Sequence, residues 1–382
     1  MPYIDRLCFD ADAHVMEPKD WLNEYADPAI RPLLQDAFGF DFDLAKAKGI
    51  VAKRKDDDDR RAKGEEKLLA QAFQSFGAFD GGERLRAMEL LGVGAQLVFQ
   101  TFAFAQFGGI GAEHELLYGG TRAHNRAITD WCAPDPDRLL AVCYVPMRDP
   151  KEDVEILDEA LALGAKAILL PTAYDEMAPS HVDFDPIWAR LDESGIPFVT
   201  HIGTGGRLIP KGYRNNGLPV PPDIHGGGEN IRSKDFLGVH YWPQYFLSVL
   251  ALDGVFEKFQ NLRGASIEQG AVWVPSMLKN VDMVQDTFKR EDAIQSLPQR
   301  ASDYLRARVK VTPFYQEPMG WLTEQLGPDM CLFSTDYPHF EGGKDPYARF
   351  EGSFGDVSED VKDRFYARNF LELLPNVGAR VA

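Results

Sequence analysis

The sequence predicts an α/β fold: a TIM-like (β/α)8 barrel with long insertions after strands one and five. Three observations predict it. Short apolar runs rich in β-branched or aromatic residues recur along the chain, and amphipathic stretches with helix stop signals stand between several of them. No glycine-rich dinucleotide fingerprint or phosphate loop comes after any strand, which weakens the case for a nucleotide-binding sheet. The 382 residues fit one barrel domain, 1–382, carrying two elaborations.

Strands are expected, in chain order, at residues 6–14 (RLCFDADAH), 95–101 (AQLVFQT), 139–146 (LLAVCYVP) and 166–171 (KAILLP). Four more are expected at 197–202 (PFVTHI), 263–268 (RGASIE), 307–312 (ARVKVT) and 330–336 (MCLFSTD). Helices are expected at 83–91, stopping at Gly92, at 151–163, stopping at Gly164, and at 185–194, stopping at Gly195. Longer candidates lie at 245–259 and 272–286. Residues 15–80 and 203–235 break the alternation. The first insertion holds the charge run KRKDDDDRR at 53–61, expected to be a solvated loop. The second is rich in Gly, Pro and Asn. Both come after strand carboxyl ends, where a barrel places its active site.

Charge narrows the partners. With 41 basic against 59 acidic residues the net charge is −18, which repels phosphate backbones and anionic membranes. The expected partner is a small-molecule substrate, with no nucleic acid and no membrane. Cys8, Cys132, Cys143 and Cys331 show no CxxC spacing and read as buried free thiols, in keeping with a reducing cytoplasm. No secretory signal is visible, and no apolar run approaches the roughly 20 residues of a membrane helix. The two insertions offer surface beyond the barrel, so a homo-oligomer is expected.

Four groups with metal-ligand chemistry stand at predicted strand ends. Asp12 and His14 lie two apart, so one strand presents both to the same side. His201 ends the fifth strand and Asp336 the eighth. In a closed barrel the eighth strand neighbours the first. Two imidazoles and two carboxylates suit Zn, Mn or Fe, with the possibility of a second ion left open. Glu17 either reaches the metal region or caps the next segment. His240 opens a helix after the second insertion and is a catalytic candidate. His339 comes three residues after Asp336 and is a candidate for binding ligand or substrate. Arg207 and Arg214 are candidate clamps for a substrate carboxylate.

The segments DADAHVMEP (10–18), FDPIWARLDESGIPFVTHIG (184–203), GVFEKFQNLRGASIEQGAVWVPSML (254–278) and FSTDYPHFEGG (333–343) carry a resemblance. Together they resemble the amidohydrolase superfamily. The branch they look like includes aminocarboxymuconate semialdehyde decarboxylase and γ-resorcylate decarboxylase. The resemblance implies that Asp12 stands at the first ligand position, with His14, His201 and Asp336 as further ligands. It also implies that Asp336 accepts protons, and that the protein forms dimers or larger assemblies. The chain departs from many relatives at the end of strand six. They carry His there, and Glu268 is the nearest equivalent. Glu268 is expected either to move protons or to ligate a second ion.

The leading expectation is a metal-dependent enzyme that cleaves a C–C bond by decarboxylation, or a C–N bond, in a small carboxylated or carbonyl compound. Asp336 or Glu268 would move the proton. Two alternatives stand beside it: a dinuclear non-haem iron or manganese oxygenase on the same fold, and a non-catalytic partner subunit.

Overall fold

The computed structural model describes residues 5–34, 41–68, 73–109, 111–174, 176–204, 209–219, 233–290 and 297–377. Seven parallel strands lie side by side in chain order. They are β1 (Asp10–His14), β2 (Gln96–Phe99), β3 (Leu139–Tyr144), β4 (Ala167–Leu169), β5 (Phe198–His201), β6 (Gly264–Ile267) and β7 (Val309–Val311). Every residue of β1 to β6 is buried. A parallel sheet covered on both faces buries its strands throughout, and the ionisable residues of β1 are the exception to their apolar composition.

The eighth expected strand is a correction. Residues 330–336 form no ladder, and this stretch touches its neighbours only through isolated bridges, Val311 with Cys331 and Ala13 with Tyr337. The reason lies in its backbone donors. The Phe333 N–H goes to Phe365 O at 3.1 Å, and the Thr335 N–H goes to the Asp10 carboxylate at 2.9 Å. The segment still spans the two edges of the sheet. Leu332 N–H reaches Val311 O on β7, while Ala11 N–H on β1 reaches Phe333 O. The sheet therefore curls so that its first and last strands flank one segment.

Helix ends obey the local chemistry. Asp80 accepts from Glu83 N at the start of Gly81–Leu91, and Gly92 ends that helix at φ 84°. Asp149 caps Pro150–Leu163, which stops at Gly164 at φ 93°. Only glycine takes such left-handed values without penalty. The helix expected at 245–259 is two, Tyr241–Leu252 and Val255–Lys258, separated at Gly254 (φ 77°). An unanticipated helix, His114–Cys132, locks onto β3 through Asn125. That amide donates to Tyr144 O at 2.9 Å and accepts from Tyr144 N at 2.8 Å.

The charge run in the first insertion is helical rather than a loop. Asp43 caps Leu44–Asp56 and Asp57 caps Asp58–Glu66, so the acidic residues supply helix starts on an exposed surface. The described part of the second insertion holds the short helices Lys211–Arg214 and Ser233–Phe236. All four cysteines are buried and free. No described helix is long and apolar enough to cross a membrane.

Candidate metal centre

Period-two alternation in β1 brings Asp12 and His14 to one side, at the carboxyl end of the sheet. β5 ends on His201, and Glu268 comes directly after β6. The four residues Asp12, His14, His201 and Glu268 each offer a ligand atom, all within 4.8 Å of one another. Asp12 Oδ1 lies 3.2 Å from His14 Nε2 and 3.3 Å from His201 Nε2. Glu268 Oε2 lies 3.4 Å from His201 Nε2. Asp336 Oδ1 approaches His14 Nε2 at 3.4 Å, forming a second group with His14 and His339. Asp336, expected in the first quartet, therefore adjoins it through His14, and Glu268 takes the fourth place.

The orientation of the two imidazoles tests whether a cation fits. His14 Nδ1 lies 2.8 Å from Gln100 O, and His201 Nδ1 lies 2.9 Å from Ile202 O. A carbonyl only accepts, so each Nδ1 carries the proton and each Nε2 presents a lone pair. Those lone pairs face carboxylate oxygens, which are also acceptors. His14 Nε2 is buried and makes no hydrogen bond. Acceptors converging in a buried place repel one another unless a cation lies between them, so the donor set fits a divalent metal ion. Burial pushes His14 down, and it pushes His339 well down with help from His14, so both rings stay neutral.

The backbone is strained at this place. Among described non-glycine residues, positive φ occurs at Met147, Glu268 and Asp336, each at 54°. Such values cost about 1–3 kcal/mol and persist where the surroundings enforce them. Glu268 N–H donates to Thr312 Oγ1 at 2.7 Å, and Gln269 Oε1 accepts from Thr200 at 2.8 Å and Ser266 at 2.6 Å. Asp336 N–H donates to Asp12 O at 2.9 Å. Two of the three strained residues thus belong to the cluster.

The remaining expected site residues take varied places. His339 adjoins the cluster, with Nδ1 at 2.8 Å from Asp336 Oδ1 and Nε2 at 2.9 Å from Thr101 Oγ1. Glu17 is not at the cluster; its oxygens accept from Thr101 N at 2.8 Å and Phe102 N at 2.9 Å, which clamps the loop after β2. His240 stands outside the cluster and stacks on Trp273 with ring centroids 6.3 Å apart. Arg214 pairs with Asp235 at 2.5 Å on the second insertion. Arg207 lies outside the described residues.

Sequence reasoning missed the floor of the site. Asp10 is fully buried and accepts from Thr335 Oγ1 at 2.6 Å, Gln96 Nε2 at 2.9 Å and Asp12 N at 3.1 Å. Its alternation with Asp12 and His14 was the available signal. Arg84 is also fully buried, between the Trp131 and Tyr337 rings. It donates to His14 O at 2.5 Å, Gly77 O at 2.8 Å and Gln96 Oε1 at 3.4 Å. An arginine in a helix interior carries no signal that it points inward. Arg84→Met strands those acceptors, at about 1–3 kcal/mol each. Urea unfolding is expected to show a loss of about 3 kcal/mol or more; a loss below about 1 kcal/mol would show that the floor does not depend on this side chain.

Residues 9–375 match the sequence profile of the family described as Amidohydrolase. The chain belongs to the amidohydrolase family. Among its relatives in that family, the γ-resorcylate decarboxylase of Rhizobium sp. (strain MTP-10005) is 23% identical over 227 residues. That match takes in 57% of this chain and 65% of the relative, so the chain spans just under two thirds of the relative's length. Solved structures of similar fold include an amidohydrolase of Mycobacterium avium subsp. paratuberculosis K-10, with TM-score 0.74 and 22% identity, covering 97% of this chain and 100% of that one. The 5-carboxyvanillate decarboxylase of Sphingomonas paucimobilis has TM-score 0.65 and 17% identity, covering 97% and 99%. A dihydroxybenzoic acid decarboxylase of Polaromonas sp. JS666, solved with manganese and 2-nitroresorcinol, has TM-score 0.61 and 16% identity, covering 97% of each chain. At these identities the solved structures bear on the fold. They agree with a curled parallel sheet of the amidohydrolase type.

Proposed function

We propose that this amidohydrolase is a metal-dependent lyase that releases CO2 from a small carboxylic acid, on a single barrel domain. The observation that carries the reading is the pair of imidazoles whose Nδ1 protons are held by backbone carbonyls, so that both Nε2 atoms face carboxylates. Asp12, His14, His201, Glu268 and Asp336 would hold the ion. Two nitrogens with several carboxylate oxygens suit Zn, Mn or Fe, and manganese is supported by the relative solved with it. The bound ion supplies Lewis acidity toward a substrate oxygen. The decarboxylase names of the relatives favour C–C over C–N cleavage.

The protein's own groups do the rest. Asp336, steadied by His339, takes up a proton from solvent and delivers it to the carbon that bears the carboxylate. The new C–H bond uses an electron pair of the adjacent unsaturation. The C–C bond to the carboxylate then breaks, its pair restores the unsaturation, and CO2 departs. Burial of the cluster keeps bulk water from competing for the proton.

The test is metal analysis with a CO2-release assay on 2,6-dihydroxybenzoate, the ligand of a similar solved decarboxylase, and on other small aromatic acids. Chelation is expected to abolish release and Mn²⁺ or Zn²⁺ to restore it. Full turnover by metal-free protein would overturn the reading. The adjacent group His14, Asp336 and His339 is what favours a dinuclear oxygenase instead. Two iron or manganese ions per chain with oxygen uptake would decide for it.

A further inference from the structure

The loop after β2 links two parts of the centre that are far apart in sequence. The Gln100 carbonyl receives the His14 Nδ1 proton at 2.8 Å. The next residue, Thr101, places its hydroxyl oxygen 2.9 Å from His339 Nε2. Glu17, fully buried, holds this loop by accepting from Thr101 N at 2.8 Å and Phe102 N at 2.9 Å. A carboxylate that takes two successive backbone N–H groups makes strong, directional bonds. The Thr101 hydroxyl therefore has a fixed place, and the direction of each of its bonds can be worked out.

A threonine hydroxyl has one proton to give and lone pairs to receive with. Thr101 Oγ1 gives its proton to Val15 O at 2.8 Å, because a carbonyl only accepts. Met16 Sδ, at 3.5 Å, is the weaker acceptor. Toward His339 the oxygen can then only receive, so the proton of that bond belongs to Nε2. This holds whatever the charge of the ring. The His14 ring, with its centroid 4.1 Å away and tilted by 30°, packs against the His339 ring in this orientation. In the neutral ring the other nitrogen is bare, and that Nδ1 faces Asp336 Oδ1 at 2.8 Å. His339 thus meets Asp336 as an acceptor rather than a donor. An acceptor pairs with the acid form of a carboxyl, the form that delivers a proton; a donor would pair with the carboxylate.

We propose that Thr101 is a positioning residue for the proton step: it fixes the tautomer of His339 and so presents a lone pair, not an N–H, to Asp336. The proposal deepens the lyase reading and rests on it for the role of Asp336. Thr101 acts through His339, and Glu17 keeps it in place. Without the hydroxyl the other tautomer gains. Nδ1 would then carry the proton and donate to the Asp336 carboxylate, and Nε2 would lose its partner.

Thr101→Val keeps the shape and removes the hydroxyl, whereas Thr101→Ser keeps the hydroxyl. The full, zinc-loaded chain with isotope-labelled histidine is read by long-range proton–nitrogen NMR, in which protonated and bare ring nitrogens resonate far apart. The His339 signals are those missing from His339→Gln. Wild type and Thr101→Ser are expected to carry the proton on Nε2, and Thr101→Val on Nδ1. In the CO2-release assay Thr101→Val is expected to lower kcat by about 10-fold or more, with KM and metal content unchanged, and Thr101→Ser to restore it. An Nδ1 proton in wild type, a tautomer that Thr101→Val does not move, a serine that fails to restore kcat, or a kcat loss matched by loss of metal overturns the proposal. The wild-type spectrum decides the assignment even where Thr101→Val fails to fold. The spectra need no substrate, so the two readings fail separately. The expected tautomers without metal-dependent CO2 release would sink the lyase and leave the hold of Thr101 on His339 standing; turnover with the opposite tautomer in wild type does the reverse.

Discussion

Asp336→Asn is expected to lower kcat by about 10²–10⁴-fold, the range for loss of a positioned acid or base. The substitution is nearly isosteric, so the packing of segment 330–336 and the Asp336 N–H bond to Asp12 O at 2.9 Å should survive. What changes is the atom facing His339 Nδ1 at 2.8 Å and His14 Nε2 at 3.4 Å. An amide keeps one acceptor but cannot deliver a proton at neutral pH. Metal content is read on the same samples. A fall in kcat at full occupancy assigns Asp336 to proton transfer, and a parallel fall in both assigns it to holding the ion. A kcat within tenfold of wild type at full occupancy would remove Asp336 from the mechanism.

Part of this centre was legible in the chain because strands write their geometry into sequence. Asp12 and His14 two apart, and His201 at the end of an apolar run, declare both their side and their position. Other parts have no such grammar. Whether Glu268 or Asp336 completes the quartet depends on left-handed backbone at both, which nothing in SIEQG or FSTDY encodes locally. The ring orientations come from the carbonyls of Gln100 and Ile202, and every residue has a carbonyl. The eighth strand was misread for a related reason. Its residue types suit a strand, but its donors are claimed by Phe365 O and Asp10, far away in sequence. The charge run at 53–61 was misread because Asp57 serves as a helix cap, a role set by the residues on its C-terminal side.

The second large effect runs in two directions at once. Glu268→Gly is expected to leave the metal-free protein as stable as wild type or more so, while metal retention and activity collapse. Glu268 is held at φ 54° by Thr312, with Gln269 latched by Thr200 and Ser266. Next to it, Glu317 accepts from Ala271 N at 2.8 Å and from Val272 N at 3.2 Å, which fixes the next turn. Left-handed backbone costs a residue with Cβ about 1–2 kcal/mol. Glycine removes that cost and returns about 0.5–1 kcal/mol of it through the unfolded chain. The change also takes a buried carboxylate out of a cluster of acceptors, which favours the metal-free fold further. Glu268→Gln separates the two contributions, because it keeps the strain and loses the charge. Metal affinity in both variants should fall by more than the roughly 10–100-fold that loss of a partner outside the coordination shell produces. Urea unfolding of metal-free protein and competitive chelator titration give the two numbers. A glycine variant that unfolds more readily than wild type yet holds its metal as tightly would show that Glu268 is a structural residue and that its strain has another cause. The expected opposite result would mean that the fold gives up stability at this position in order to keep a carboxylate at the metal.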